Sequence, residues 1–318
     1  MYEAFYGVRE RPFDLTPNPR FLLLTGKHRE ALSNLQYGLM SRRGLTVLAG
    51  EAGTGKTTLI RAAVGEFEAR GAVIAYLNNP TLTRQEFCEF LTSAFRLDPA
   101  AAHSKTRLLS DLASALEKFR ARDVLTGLII DEAQVLPDEL LEEVRLLANI
   151  ETPTDKLLPI VLAGQPELAE RLNQPSLRQL KQRVALRCQL NGLDSKETAE
   201  YIAGRIRIAG GNSVLVFTRQ AVELIHVHSG GIPRLISVIC DNALISGFAA
   251  NRRPVTRDLV EDVCRDFDLV PKAETAGHAA PAAVAVPAAV ESPAAAEKES
   301  GRRSMFDHFT IRRRFSLF

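Results

Sequence analysis

The stretch "GEAGTGKT" at residues 50–57 constrains this chain more than any other part of it. Its spacing is Gly-x4-Gly-Lys-Thr. It follows the apolar run "LTVLA" and opens into "TTLIRAAVGEF", which reads as a helix. A buried strand that passes into a helix through a glycine turn points to alternating strands and helices around a parallel sheet. The glycines admit conformations that turn several backbone N–H groups toward one point, and the helix adds its positive end there. The expectation is a phosphate cradle formed by Gly50, Glu51, Ala52, Gly53, Thr54, Gly55, Lys56, Thr57 and Thr58. Lys56 is expected to meet the β- and γ-phosphates of ATP, and the Thr57 hydroxyl to bind Mg²⁺.

Residues 44–190 repeat this alternation. Short β-type runs stand at 45–50, 72–77, 125–131, 158–164 and 184–190, with amphipathic stretches near 56–69, 84–96, 105–121 and 138–149. The pattern predicts an α/β fold, a doubly wound parallel sheet. From 193 to 268 the pattern is helical only. Asp194 with Glu197 forms a capping-box start, Gly210-Gly211 ends that helix, Thr218 and Thr256 cap two others, and Pro233 suits a first helical turn. The boundaries read from these shifts are 1–192 for the nucleotide-binding core with its N-terminal segment, 193–269 for a small all-α domain, 270–300 for an Ala/Pro-rich linker and 301–318 for a tail.

The second chemical signal is "LIIDEAQ" at 128–134, an apolar strand that ends in two carboxylates. Asp131 at the strand end can hold the Mg²⁺ shell, and Glu132 can orient or deprotonate an attacking water. Binding without hydrolysis would not need Glu132. Gln165 ends the strand "LLPIVLAG" and reads either as a polar sensor beside the γ-phosphate or as a loop cap. Arg183, with Arg178 as the other candidate, can stabilise charge on a phosphoryl group in a neighbouring subunit; a solvated charged face is the competing reading. "GGIPRL" at 230–235 places Arg234 in a first helical turn, where the helix dipole slightly disfavours a cation. A reach from the small domain to the γ-phosphate would explain it.

Charge and composition bound the partners. The formal net charge is +2, which gives no chain-wide basic field for nucleic acid. The tail alone holds five Arg against one Asp, so residues 1–300 are slightly negative. Cys88, Cys188, Cys240 and Cys264 are scattered, and the histidines show no metal-ligand spacing, as expected of a reducing compartment. The N-terminus carries charges where a signal peptide needs its apolar core, and the run at 279–290 is short and interrupted by Pro281 and Pro287. A cytoplasmic chain is expected. Residues 271–300 hold twelve Ala and four Pro without an aromatic residue. They read as a linker spanning roughly 30 Å as coil and up to ~90 Å extended. In the tail, Phe306, Phe309, Ile311, Phe315, Leu317 and Phe318 accompany the arginines. This suggests a docking peptide for a partner protein or an anionic membrane surface, with an inert end as the alternative.

Together, the motifs at 50–57 and 128–132, Gln165, an arginine near 183 and Pro233-Arg234 resemble those of AAA+ ATPases. The opening "MYEAFYGVRERPFDLTPNPRFLLLTGKHREALSNLQYGL", with "LAGQPEL" and "ETAEYIAGRIRIAGG", is similar to the general secretion pathway protein A (ExeA-type) family over about residues 1–268. The resemblance implies a P-loop AAA+ sheet followed by an all-α lid, Mg-dependent ATP hydrolysis, and a homo-oligomeric ring such as a hexamer. It also implies work with a bacterial secretion, pilus or exopolysaccharide export machinery; peripheral contact with the inner membrane is an expectation that rests on the tail. Gln165 stands where Asn, Thr or Ser is common at this sensor. The family's membrane span and cell-wall-binding domain find no match in the linker and tail, so the cell-wall role is not carried over. Two other functions compete. One is a DNA-associated ATPase of the transposition-targeting type; the near-neutral charge argues against nucleic acid, and salt-dependent DNA binding would restore it. The other is a nucleotide-gated binding module without turnover.

Overall fold

The five apolar runs form β1 (Leu45–Gly50), β2 (Val73–Leu77), β3 (Thr126–Ile130), β4 (Ile160–Gly164) and β5 (Val184–Leu190). The computed structural model describes residues 1–14, 19–21, 23–42, 44–78 and 80–269; the linker and tail readings at 270–300 and 301–318 lie outside them. All strand pairs are parallel, in the order β2-β3-β4-β1-β5. In register, Leu45 pairs with Ile160 and Val184, and Gly50 with Leu190. The order sets the carboxyl ends of β3, β4 and β1 side by side, which is where an open parallel sheet binds its ligands.

The chain opens with α1 (Glu3–Tyr6) and α2 (Gly26–Met40), and α3 (Lys56–Ala69) follows β1. Then come α4 (Arg84–Ala94), α5 (Lys105–Ala121), α6 (Asp138–Leu147), α7 (Pro166–Leu172) and α8 (Arg178–Lys181). Alternate strand residues point to opposite faces. Leu128, Ile130, Ile160 and Leu162 pack with α4 to α8. Ile129, Val161 and Ala163 pack with α2 and α3. Both faces are therefore covered, and the inner strands are apolar except for the buried Thr46 and Thr126. Local signals start the helices: Thr83 and Glu86 form a complete capping box on α4.

The helical stretch forms α9 (Ser195–Ile208), α10 (Arg219–Ser229), α11 (Pro233–Ala249) and α12 (Arg257–Asp266). Asp194 and Glu197 close a capping box on α9, and the Thr218 hydroxyl caps α10. Thr256 departs from expectation. It occupies the N-cap position of α12 but makes no side-chain cap; its hydroxyl donates to the Asp258 carboxylate instead. His226 and His228 serve structure, through Nδ1 contacts with the Thr198 hydroxyl at 2.9 Å and the Leu269 carbonyl at 2.8 Å. Among the described residues there is no group of potential metal ligands, and no helix is long and apolar enough to cross a membrane.

The N-terminal segment, grouped with the sheet domain by its position in the sequence, packs on these helices instead. Tyr2, Tyr6, Val8, Phe13 and Phe21 join the core of α9 to α12. Arg205 organises the contact. It donates to the Pro12 carbonyl at 2.6 Å, the Asp14 carbonyl at 3.3 Å and the Tyr201 hydroxyl at 2.6 Å. Its guanidinium lies 5.2 Å from the Phe21 ring centre and 5.9 Å from that of Phe13. Periodicity could not reveal this, because the partners lie about 190 residues apart.

Candidate active site

The loop between β1 and α3 needs its glycines for two different reasons. Gly53 and Gly55 both lie in the left-handed region, at φ +83° and +101°. A Cβ on Gly53 would also come within 2.7 Å of the Arg234 Cβ. Thr54, wholly buried, tightens the turn by donating from its hydroxyl to the Glu51 carbonyl at 2.8 Å. Glu51 and Ala52 form the exposed tip, and Thr58 is exposed in the first turn of α3. Lys56 is buried, and its ammonium donates to the carbonyls of Gly50 at 2.7 Å and Glu51 at 3.1 Å. Burial holds its pKa below the ordinary lysine value, against the opposing pull of Glu132, Asp131 and Glu51.

Asp131 follows β3 directly and is completely buried. Its Oδ2 accepts from the Thr57 hydroxyl at 2.6 Å, and its Oδ1 from the Glu132 backbone N–H at 3.0 Å. The Tyr76 hydroxyl stands 3.4 Å away on the neighbouring strand; burial first, then the Asp131 charge, raises that phenol's pKa. A hard divalent cation takes oxygen ligands of the hydroxyl and carboxylate kind. The Thr57–Asp131 pair at the head of α3 fits Mg²⁺ by that criterion.

Glu132 adopts φ +52°, which a residue with a Cβ rarely does. Gln134 holds its side chain: Nε2 donates to Glu132 Oε2 at 2.6 Å, while Oε1 accepts from the Gln165 backbone N–H at 3.1 Å. The amide orientation is unambiguous, since a carboxylate accepts and a backbone N–H donates. Gly164 leaves the room; a Cβ there would sit 2.6 Å from Gln134 Oε1. Arg171 anchors the same turn by donating to the carbonyls of Gln134 at 2.6 Å and Leu136 at 2.7 Å. Sequence reasoning missed Gln134 and Arg171. The final residue of "LIIDEAQ" was the available signal for the first. Gln165 is half-buried at the end of β4, and its side chain makes no cap on α7.

"GGIPRL" is explained by what crosses it. Gly230 ends α10 in the left-handed conformation, and Gly231 follows at φ +71°. The Gly231 carbonyl accepts from the Leu193 N–H at 2.8 Å. A Cβ on Gly231 would lie 1.9 Å from the Leu193 carbonyl oxygen, so the chain that joins sheet and helices runs directly across the glycines. Three residues on, the Arg234 backbone N–H donates to the Gly53 carbonyl at 3.3 Å. The first turn of α11 thus rests on the phosphate loop, with the Arg234 side chain exposed.

Arg183 stands elsewhere. Its carbonyl accepts from the Leu45 N–H at 3.3 Å, at the amino end of β1, whereas the loop leaves the carboxyl end at Gly50. Six strand residues separate these ends by on the order of 20 Å. Arg183 is half-buried near Glu151, and Arg178 is exposed at the start of α8.

A family model described as an AAA domain matches residues 39–172. General secretion pathway protein A of Aeromonas hydrophila is 42% identical over 250 residues, which cover 78% of this chain and 45% of that protein. The chain therefore spans about half the length of that relative. The Aeropyrum pernix ORC2 protein, solved in ADPNP-ADP complexes, aligns with a TM-score of 0.57 at 20% identity over 81% of this chain and 71% of its own. Cdc6p from Pyrobaculum aerophilum gives a TM-score of 0.60 at 18% identity, over 80% and 70% of the two chains. At such identities these two structures speak for the fold alone. The parallel sheet, the glycine loop on α3 and the matches together identify this chain as a member of the AAA+ P-loop nucleotide-binding proteins, related over most of its length to general secretion pathway protein A.

Proposed function

We propose that the protein is a Mg-dependent ATPase that hydrolyses ATP to ADP and phosphate and couples the cycle to assembly or regulation of a bacterial envelope export system. The observation that carries the hydrolytic part is the Glu132 carboxylate, fixed by Gln134 beside an Asp131 already bonded to the loop's Thr57. A site that only binds has no need to fix that second carboxylate. Lys56 and the loop N–H groups receive the phosphates. Thr57 and Asp131 would hold Mg²⁺, which when bound would offset phosphate charge. Glu132 takes the proton of the attacking water at its carboxylate. Arg234 reaches from the helical domain over the loop and reports nucleotide state. Arg183, too far to serve its own site, completes that of the next subunit in a ring.

The export role rests on the 42% identical secretion relative. The tail at 301–318 would make the contact with the machinery or with the inner membrane. The DNA-associated reading has less support, because the neighbour solved bound to DNA, Drosophila ORC, shares only the fold and residues 1–300 carry no positive excess. A phosphate-release assay tests the core of the proposal. The parent protein should release phosphate from ATP, and Lys56→Ala should abolish both release and tight ATP binding. A parent that binds ATP without turnover would leave a nucleotide-gated binding module. Deletion of 301–318 should preserve the basal rate and abolish co-sedimentation with membranes or partner.

A further inference from the structure

His28 lies on the first turn of α2, apart from the glycine loop and the carboxylate strand, and is buried. Its Nε2 stands 3.0 Å from the Thr54 carbonyl oxygen of the phosphate loop, and its Nδ1 stands 2.8 Å from the Thr25 hydroxyl. A carbonyl oxygen only accepts, so Nε2 carries the proton and donates. Nδ1 then accepts from the Thr25 hydroxyl, which fixes the tautomer and the ring plane.

Thr25 supplies an independent sign that the arrangement is specific. It is the N-cap residue of α2, a position where a threonine hydroxyl ordinarily accepts from a free helical N–H. Here it makes no such cap. The helix forgoes a local stabilising bond, and the hydroxyl is turned to the imidazole instead.

The consequence follows from peptide geometry. In a planar trans peptide the C=O and N–H point in opposite directions. A donor that fixes the Thr54 carbonyl on the outside of the loop therefore aims the Gly55 N–H toward the inside, where the phosphates are to be received. Gly55 fits the same contact: a Cβ there would come within 3.4 Å of His28 Nε2. The preceding peptide is held in the same manner by the Arg234 N–H on the Gly53 carbonyl. The two supports differ in origin. One comes from α2, packed on the sheet; the other comes from α11 in the helical region and moves whenever that region moves.

We propose that His28 is a positioning residue for the nucleotide: from α2, on the sheet side of the loop, it pre-sets the Thr54–Gly55 peptide for phosphate. This rests on the loop's being the nucleotide site. Because the cradle serves the phosphates of ATP and ADP alike, loss of the bond should weaken both nucleotides equally and leave the maximal rate almost unchanged.

The test compares His28→Gln, whose side-chain amide can reach the carbonyl as Nε2 does, with His28→Met, which keeps the bulk and removes the donor. Fluorescent ADP and ATP analogues are titrated, kcat and KM are measured, and hydrogen exchange is followed at residues 53–56. His28→Met should bind both nucleotides about tenfold more weakly, with KM raised in parallel, kcat within twofold, and faster exchange confined to the loop. His28→Gln should recover most of the affinity, and Thr25→Val should lose a few-fold. Binding by His28→Met within twofold of the parent would overturn the proposal. So would equal losses in the Met and Gln variants with unchanged loop exchange, which would mark packing rather than the donor. A parent protein that fails to bind either analogue would instead overturn the nucleotide reading itself.

Discussion

At the carboxyl ends of β1, β3 and β4, N–H groups, a lysine and two carboxylates converge; at the amino ends of the same strands, arginines stand apart around a hollow. That opposite hollow, of about 730 Å³, is lined by Arg42, Arg70 and Arg120 over Met40 and Phe67. Its walls are helix ends of the other polarity. Arg70 is the C-cap residue of α3, and Arg120 lies in the last turn of α5. Arginine there answers the negative end of a helix dipole and is paired locally, Arg70 with Glu66 and Arg120 with Asp155. At the carboxyl rim the positive helix end is left for an anion, and the polar groups hold one another in strained geometry, as at Glu132. The direction of the strands decides which rim can act as an active site. A cleft and a set of charges are not enough.

The comparison is sharpened first at Arg183, which belongs to the amino rim. If this rim acts only on a neighbouring subunit, Arg183→Ala should lower turnover by about 10³-fold. ADP affinity should stay within about twofold of the parent by direct titration, since the substitution touches no group of the subunit's own site. Mixing that variant with Lys56→Ala should restore part of the activity at mixed interfaces. Full activity at every protein concentration would remove Arg183 from the mechanism and leave Arg178 to be tested. A loss of ADP affinity in the isolated subunit would break the separation of the rims.

At the carboxyl rim, Glu132→Gln should cost about 10²-fold or more in phosphate release while ATP still binds, because shape survives and the base does not. Parental turnover in this variant would refute the assignment. Gln134→Ala removes the strut that fixes Glu132. A loss of about tenfold in kcat with unchanged ATP affinity is expected, the worth of one well-placed hydrogen bond to a charged group. Single-turnover kinetics would separate that loss from slow product release.

The smallest effect is expected at Arg234. Arg234→Ala deletes the exposed side chain but keeps the backbone N–H on the Gly53 carbonyl, so the loop should stay in place. ATP should lose its advantage over ADP by a few-fold, on the order of 1 kcal/mol. Equal binding of both nucleotides to parent and variant would reduce Arg234 to a residue that merely begins α11.

Much of this was legible in sequence because it is local. "GEAGTGKT" joins strand to helix as its spacing requires, and the five apolar runs are the five strands. Asp131 and Glu132 were named from adjacent letters. Gln134 was within sight in the same quoted stretch, but its task depends on Gln165 and Gly164, thirty residues on, which become neighbours only when β3 and β4 pair. That Arg183 precedes a strand is legible in the sequence; which end of the sheet that strand begins at is a property of the pairing.

The sequence by itself determined the kind of loop, the α/β alternation, the carboxylate pair and the helical character of the region after residue 193. Each rests on dihedral preference or periodicity within a few residues. Tertiary structure alone decided what holds these parts in working order. It brought the N-terminal segment to the far helices through Arg205, laid the first turn of α11 on Gly53, and put His28 behind Thr54. Those contacts join residues 26 to 193 positions apart. Hydrogen-bond partners across such distances leave no period in the chain, and they exist only once the strand order has been chosen.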